Sequence, residues 1–211
     1  MNIFYLDRHT QACAEMHNDK HCVKMILEYA QLLSTAHRII DGVPSRVLFS
    51  GRQKTVHSLP DSRDGVLYSA THVNHPSAVW VRKSRANYVW LQQLLAHLCK
   101  EYTHRYDRLH KVESSFLLDH LYQPPHGITV DVDFTEPPPA MPDEYKVLGD
   151  SIASYRNYYL GSKYKMSRWT NREMPSWFAD GIYSLYGDTC YIEDKPKLSR
   201  TISMPLNHAN V

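Results

Sequence analysis

The sequence predicts a mainly α protein, a single compact helical domain around two long helices, with a short N-terminal strand and long irregular loops. Three observations carry that prediction. Apolar residues recur at helical spacing across 19–41 and again across 85–108. The segments around these stretches are punctuated by proline and glycine and hold no sustained period. A chain of 211 residues with 43% hydrophobic and 22% charged residues suits one packed core without staples. The domain is assigned to 1–185, and 186–211 is read as a loosely ordered C-terminal tail.

Taken in order, Asn2 to Leu6 (NIFYL) is a short apolar run, read as a strand or an extended lead into the core. Thr10 to Met16 reads as a short helix. Asp19 is placed at the N-cap of a long helix that runs to Asp41 and stops at Gly42, with Val23, Ile26, Leu27, Ala30, Leu33 and Ile40 on its core face. From Val43 to Asn74 a long loop is expected, punctuated by Pro44, Gly51, Pro60 and Gly65 and carrying Arg46, Arg52, Lys54 and Arg63. Asn74-His75-Pro76 opens a short helix, and the second long helix follows from Arg85, with Tyr88, Leu91, Leu95, Leu98 and Tyr102 on one stripe. Val112 to Tyr122 reads as one helix ended by Pro124-Pro125, and EPPPAMP at 136–142 as a proline-rich connector. Asp150 or Ser151 caps a helix through Leu160, with Gly161 as its stop, and short turns follow.

Cys13, Cys22, Cys99 and Cys190 are widely spaced and form no CxxC, and no secretory signal or membrane-spanning apolar run is present, so a reduced, cytoplasmic setting with no membrane partner is expected. A net charge of +2 excludes an argument for nucleic acid from total charge and leaves the question to local patches.

The first long helix carries the densest set of reactive side chains. His17, Lys20, His21, Lys24, Glu28, Gln31, Thr35 and Arg38 advance by threes and fours and so share one ridge. Three chemistries compete for it. A solvated face would gain a Lys24–Glu28 pair worth roughly 0.2–0.5 kcal/mol, although His17, His21 and His37 are unusual choices for solubility. A zinc site would use the four-residue spacing of Cys13, His17 and His21. On a continuous helix Cys13 and His21 stand roughly 12 Å apart, so only one adjacent pair can share an ion, and a remote ligand such as His75, His104 or His110 would be needed. No metal or cofactor is therefore expected. Lysine chemistry is the third: Lys20 and Lys24 lie one turn apart beside His17 and His21, and mutual repulsion favours a neutral, nucleophilic amine, with Glu28 or Asp19 shuttling the proton.

A second concentration is basic and aromatic. Residues 155–178 hold Arg156, Lys163, Lys165, Arg168 and Arg172 among Tyr155, Tyr158, Tyr159, Tyr164, Trp169 and Trp177, the mixture that follows a phosphate backbone and stacks exposed bases, with Asn157 as a further polar contact. The bland alternative is a helix whose rings fill the core and whose cations face water. Asn74 and His75, followed by Arg82 and Arg85, are candidates for another wall of the same cleft.

HNDKHCVKMILEYAQLLSTAHR, NHPSAVWVRKSRANYVWL, EYTHRYDRLHK and SYRNYY with its following RW resemble a largely uncharacterised family of tailed-phage proteins, over most of residues 1–178. More remotely, the order of features is similar to phage pyrimidine-dimer DNA glycosylases. That resemblance implies an all-helical fold, a flipped or kinked double-stranded DNA partner, and an amine that forms a Schiff base with sugar C1′ beside a glutamate on the first helix. In this sequence Glu28 is the nearest downstream glutamate, while Lys24 falls closer to the position the family gives its glutamate. Asn2 would tend to retain Met1, which favours a lysine nucleophile or a non-lyase activity.

The expectation is a phage-type DNA-acting, glycosylase-like enzyme that works on a damaged or modified base through an extrahelical nucleotide. His17, Asp19, Lys20, His21, Lys24 and Glu28 are its candidate catalytic residues. A base-modifying transferase of a hypermodification pathway, a non-enzymatic DNA- or protein-binding factor and a metal-dependent hydrolase are the alternatives.

Overall fold

The computed structural model describes residues 1–128 and 132–187. Its first helices are α1 (Thr10–Met16) and α2 (Asp19–Ile40), and an antiparallel ribbon of β1 (Val43–Phe49) and β2 (Arg52–Ser58) follows. Next come α3 (Pro76–Val81), α4 (Arg85–Tyr106), α5 (Lys111–Ser114), α6 (Leu117–Leu121), α7 (Ser151–Tyr158) and α8 (Ser176–Tyr186). The protein is thus mainly α, as the periodicity predicts, and α2 packs against α4 with α1 and α3 on the same pair. The fourth cysteine, Cys190, and nearly all of the 186–211 tail lie outside the described residues.

The N-terminal run forms no strand. Ile3, Tyr5 and Leu6 are fully buried, and their neighbourhood satisfies the backbone through side chains instead of a partner strand. The Phe4 amide donates to the Tyr29 hydroxyl (3.1 Å), the Cys13 thiol donates to the Phe4 carbonyl (3.2 Å), and Arg156 donates to the Leu6 carbonyl through Nε (3.1 Å) and Nη2 (2.9 Å).

The ends of α2 follow capping chemistry. Asn18, one residue before the expected Asp19, accepts the His21 amide on its side chain (2.9 Å), and Asp41 closes the helix. The apolar stripe is narrower than the spacing suggests, because Val23 and Leu27 are exposed while Met25, Ile26, Tyr29, Leu32 and Leu33 enter the core.

Four further expectations are corrected. Residues 43–58 are a β-ribbon whose two-residue turn has Ser50 and Gly51 both at positive φ, the geometry that matches the twist of paired strands. The 112–122 helix is broken in two at Phe116, which is left-handed at φ 58°. Gly161 does not stop α7: Asp150 caps it as expected, but the chain continues through a π-helical turn over Tyr159–Lys163. Within 161–185, where only turns are expected, α8 forms and packs Phe178 and Ile182 into the core.

Candidate functional site

The expected ridge divides into a buried half and a surface half. His17 is not on α2 at all. It closes α1, fully buried, with Nδ1 donating to the Cys13 carbonyl (2.7 Å), so Nε2 accepts from the Tyr29 hydroxyl (2.9 Å). Both nitrogens are occupied and burial lowers the ring to about 4, so His17 is a neutral core residue. The same break between α1 and α2 removes the helical chelate considered for Cys13, His17 and His21, and no three such donors converge on a metal-sized site among the described residues.

Asp19 is likewise occupied. Its carboxylate accepts from Arg105 Nη1 (3.0 Å), the Thr170 amide (2.9 Å) and the Thr170 hydroxyl (2.8 Å). Arg105 also donates to Glu101 (2.7 Å), which is clasped by Arg172 through Nε and Nη2. This buried ion network joins α2 and α4 to the 170–172 segment and replaces the proton-shuttling role considered for Asp19.

Arg38, at the far end of the ridge, is an organising residue. Its guanidinium donates to the carbonyls of Tyr68, His57, Asp64 and Leu67 and to the Asp64 carboxylate, all at 2.6–2.8 Å. Thr35, one turn earlier, exchanges hydrogen bonds with the Thr71 backbone (3.2 and 3.4 Å). The 67–75 segment therefore runs along the ridge from Arg38 back toward Glu28.

The surface half lies where that segment ends. Lys24 Nζ stands 3.1 Å from Glu28 Oε1, and the two are unequal in exposure, with 69% of the lysine side chain accessible against 16% of the glutamate. His75 is half-buried, and burial lowers its pKa, as do the Met1 amine and His72 nearby, while Glu28 raises it. His75 therefore lies within the field of Glu28, the carboxylate that Lys24 pairs with. His75 Nδ1 accepts the Ser77 amide (3.2 Å), which leaves the proton on Nε2. His72, missed by the sequence reading, holds a left-handed backbone (φ 48°), and its Nδ1 meets the Thr71 hydroxyl (2.8 Å). Asn74 is exposed in the turn closed by the His75 amide on the His72 carbonyl.

His21 joins this surface to the basic window. Its ring is stacked on Phe4 (centroids 3.9 Å apart), with Nδ1 against the Tyr159 hydroxyl (2.6 Å). Burial is the main cause that lowers it to about 2, and His17, Lys163 and Lys24 add to the effect. Lys24 and Lys163 thus flank one buried imidazole. Lys163 lies over the Tyr158 ring (4.5 Å), and Lys165 over Tyr164 (5.7 Å). Lys20 and Asn157 are exposed nearby in sequence.

The rest of the basic-aromatic window is structural. Tyr155 is fully buried and donates to the Pro138 carbonyl (3.0 Å), Trp169 is buried and donates to the Met16 carbonyl (3.1 Å), and Arg156 braces Leu6 beneath the Trp177 ring. Arg168 donates to the Ser167 carbonyl (2.8 Å), while its own carbonyl accepts the Asp19 amide (2.8 Å). Base stacking on Tyr155 and Trp169 is thereby excluded in this conformation, because their faces belong to the core. Arg82 and Arg85 lie at the α3–α4 junction, beyond the C-terminal end of α3, away from its His75 end.

The chain matches no known family, curated protein or solved structure. Among the described residues no helix is long and apolar enough to cross a membrane.

Proposed function

We propose that the protein is a DNA-acting enzyme of the glycosylase kind, which takes an extrahelical damaged or modified nucleotide at the surface formed by Lys24, Glu28, His72 and His75. The observation that carries this reading is the Lys24–Glu28 pair: an accessible amine 3.1 Å from a largely shielded carboxylate, beside a neutral imidazole whose Nε2 carries the proton. Glu28 takes a proton from the Lys24 ammonium, and the freed amine attacks sugar C1′ as the bond from C1′ to the base breaks. The carboxylic acid so formed returns the proton to the departing base; the C1′–O4′ bond then breaks as the attached nitrogen gives up a proton to O4′, which leaves the Schiff base on the opened sugar for water to hydrolyse. His75 Nε2–H hydrogen-bonds a phosphate or base edge, and Lys163 with Lys24 supplies the cationic approach.

Borohydride trapping on oligonucleotides carrying an abasic site, a pyrimidine dimer or a hydroxymethylated base tests this reading. The expected result is a covalent adduct that Lys24→Ala abolishes. Glu28→Gln is expected to slow base release by about 10²–10⁴-fold while DNA binding is kept. An adduct unchanged in Lys24→Ala would move the nucleophile elsewhere, and absence of both adduct and base release would refute the enzyme.

A further inference from the structure

The β1–β2 ribbon is unused by the site just described, yet its construction is specific. Residues 43–58 contain Arg46, Arg52 and Lys54 and no carboxylate. Its tip is apolar and exposed, with Leu48 at 75% and Phe49 at 69% accessibility. The register pairs Val47 with Lys54 and Phe49 with Arg52, so those four side chains share one face, while Arg46 and Leu48 lie on the other with Thr55 and Gln53. Seven residues per strand give a reach of roughly 23 Å from the body.

The root is rigid. Arg38 holds the His57 carbonyl (2.8 Å), the Asp64 carboxylate that grips Arg38 also accepts the Leu59 amide (2.7 Å), and Arg63 ties Asp61 to Asp41. Arg38 and Glu28 stand on the same ridge, ten residues and about 15 Å apart along α2. The 67–75 segment covers α2 between these two residues, so a polyanion that reaches from the ribbon to the candidate site would lie across that segment.

We propose that the ribbon is a groove-binding element for double-stranded DNA, with Arg46, Arg52 and Lys54 on phosphates and Phe49 as an apolar wedge against a base step. The proposal rests on the DNA reading above. A two-stranded ribbon fits the major groove, whose two walls of phosphate match cations on both of its faces. An inserted phenylalanine unstacks a base step and helps to deliver a nucleotide out of the helix. Two unprotected edges and an apolar tip are otherwise a liability for a protein surface.

The full-length chain is titrated with a short unmodified duplex carrying 2-aminopurine at its centre, over a series of salt concentrations. For the wild type, salt-dependent binding with a rise in 2-aminopurine emission is expected. The combined variant R46A/R52A/K54A should bind more weakly, with a slope of log affinity against log salt shallower by about 2.7, since each lost phosphate contact removes about 0.9. Phe49→Ala should keep the slope and lose the emission rise. These side chains lie outside the core, so unchanged thermal midpoints certify the fold of each variant. Wild-type binding that the triple variant reproduces in slope and affinity overturns the ribbon and leaves the DNA reading standing. Binding with no emission rise overturns the wedge alone, and no binding by the wild type overturns both readings. Concentration-dependent self-association that Phe49→Ala removes, with DNA binding untouched, would assign the ribbon to a second copy instead.

Discussion

At His37 the two ring nitrogens are committed as firmly as those of His17. Arg63 Nη1 donates to Nδ1 (2.8 Å), so Nε2–H donates to the Tyr88 hydroxyl (2.7 Å), which passes the chain on to the Leu121 carbonyl (3.0 Å). Burial, and then the Arg63 charge, lowers His37 to about 4, as burial lowers His17 to about 4 and His21 to about 2. An unfolded histidine titrates near 6.5, so between that value and 4 the unfolded chain binds more protons than the folded one, and stability rises with pH. The contribution is full above about 6.5 and is lost as pH falls toward 4, at about 3 kcal/mol for each of His17 and His37. Urea unfolding across that range should show the decline, and ring resonances of His17 and His37 should remain those of neutral imidazole at pH 5. Early protonation of either ring would contradict the hydrogen-bond assignment. Spacing alone grouped His17, His21 and Lys24; it could not register that His17 sits in a break between two helices with both nitrogens spoken for.

The element that most altered the expected picture is the ribbon, together with the 59–75 segment that fastens it. Ser50-Gly51 was the available signal, since a Ser-Gly pair between two seven-residue runs suits a tight turn, but Pro44 and the scattered cations mask any alternation. The fastening depends on one guanidinium with donors in several directions, a geometry that an ammonium does not reproduce. Arg38→Lys is therefore expected to leave the α2–α4 core folded while amide hydrogen exchange accelerates across 57–71. Exchange unchanged from the wild type would mean that the ribbon root is held by something else. Loosening there should also disturb His72 and His75, because Thr35 and Arg38 guide the same segment toward Glu28.

Across the whole molecule, the network of Asp19, Glu101, Arg105 and Arg172 joins the start of α2 and the end of α4 to the segment that follows α7. The Arg105 side chain is completely buried and that of Glu101 nearly so, so removing one partner strands charge in a low-dielectric interior. Arg105→Ala is expected to cost about 3–5 kcal/mol, read as a lowered denaturation midpoint, with exposure of Trp169 to a fluorescence quencher as the local sign. A loss within 1 kcal/mol, typical of a surface pair, would show that the network is no keystone. The cations of 155–178 are largely engaged within the fold: Arg172 is held by Glu101, Arg156 by the Leu6 carbonyl and Arg168 by the Ser167 carbonyl, while half-buried Lys163 and exposed Lys165 lie over tyrosine rings.

Periodicity and capping residues by themselves determined that this chain builds a mainly helical domain around 19–40 and 85–106, and they brought Lys24 and Glu28 to one turn of one helix. Those are short-range properties, set by backbone geometry within a few residues. Tertiary structure alone decided that His17 and Asp19 serve the core and an ion network, that the rings of Tyr155 and Trp169 face inward, and that His75 comes within the field of Glu28. Several of the deciding partners are remote in the chain, as with Asp19 and Thr170, 151 residues apart, or Trp169 and Met16, 153 apart, and even His17 takes its second ring partner from Tyr29 on the next helix. A side chain's chemistry is set by the neighbours that desolvate and pair with it, and local sequence does not name those neighbours.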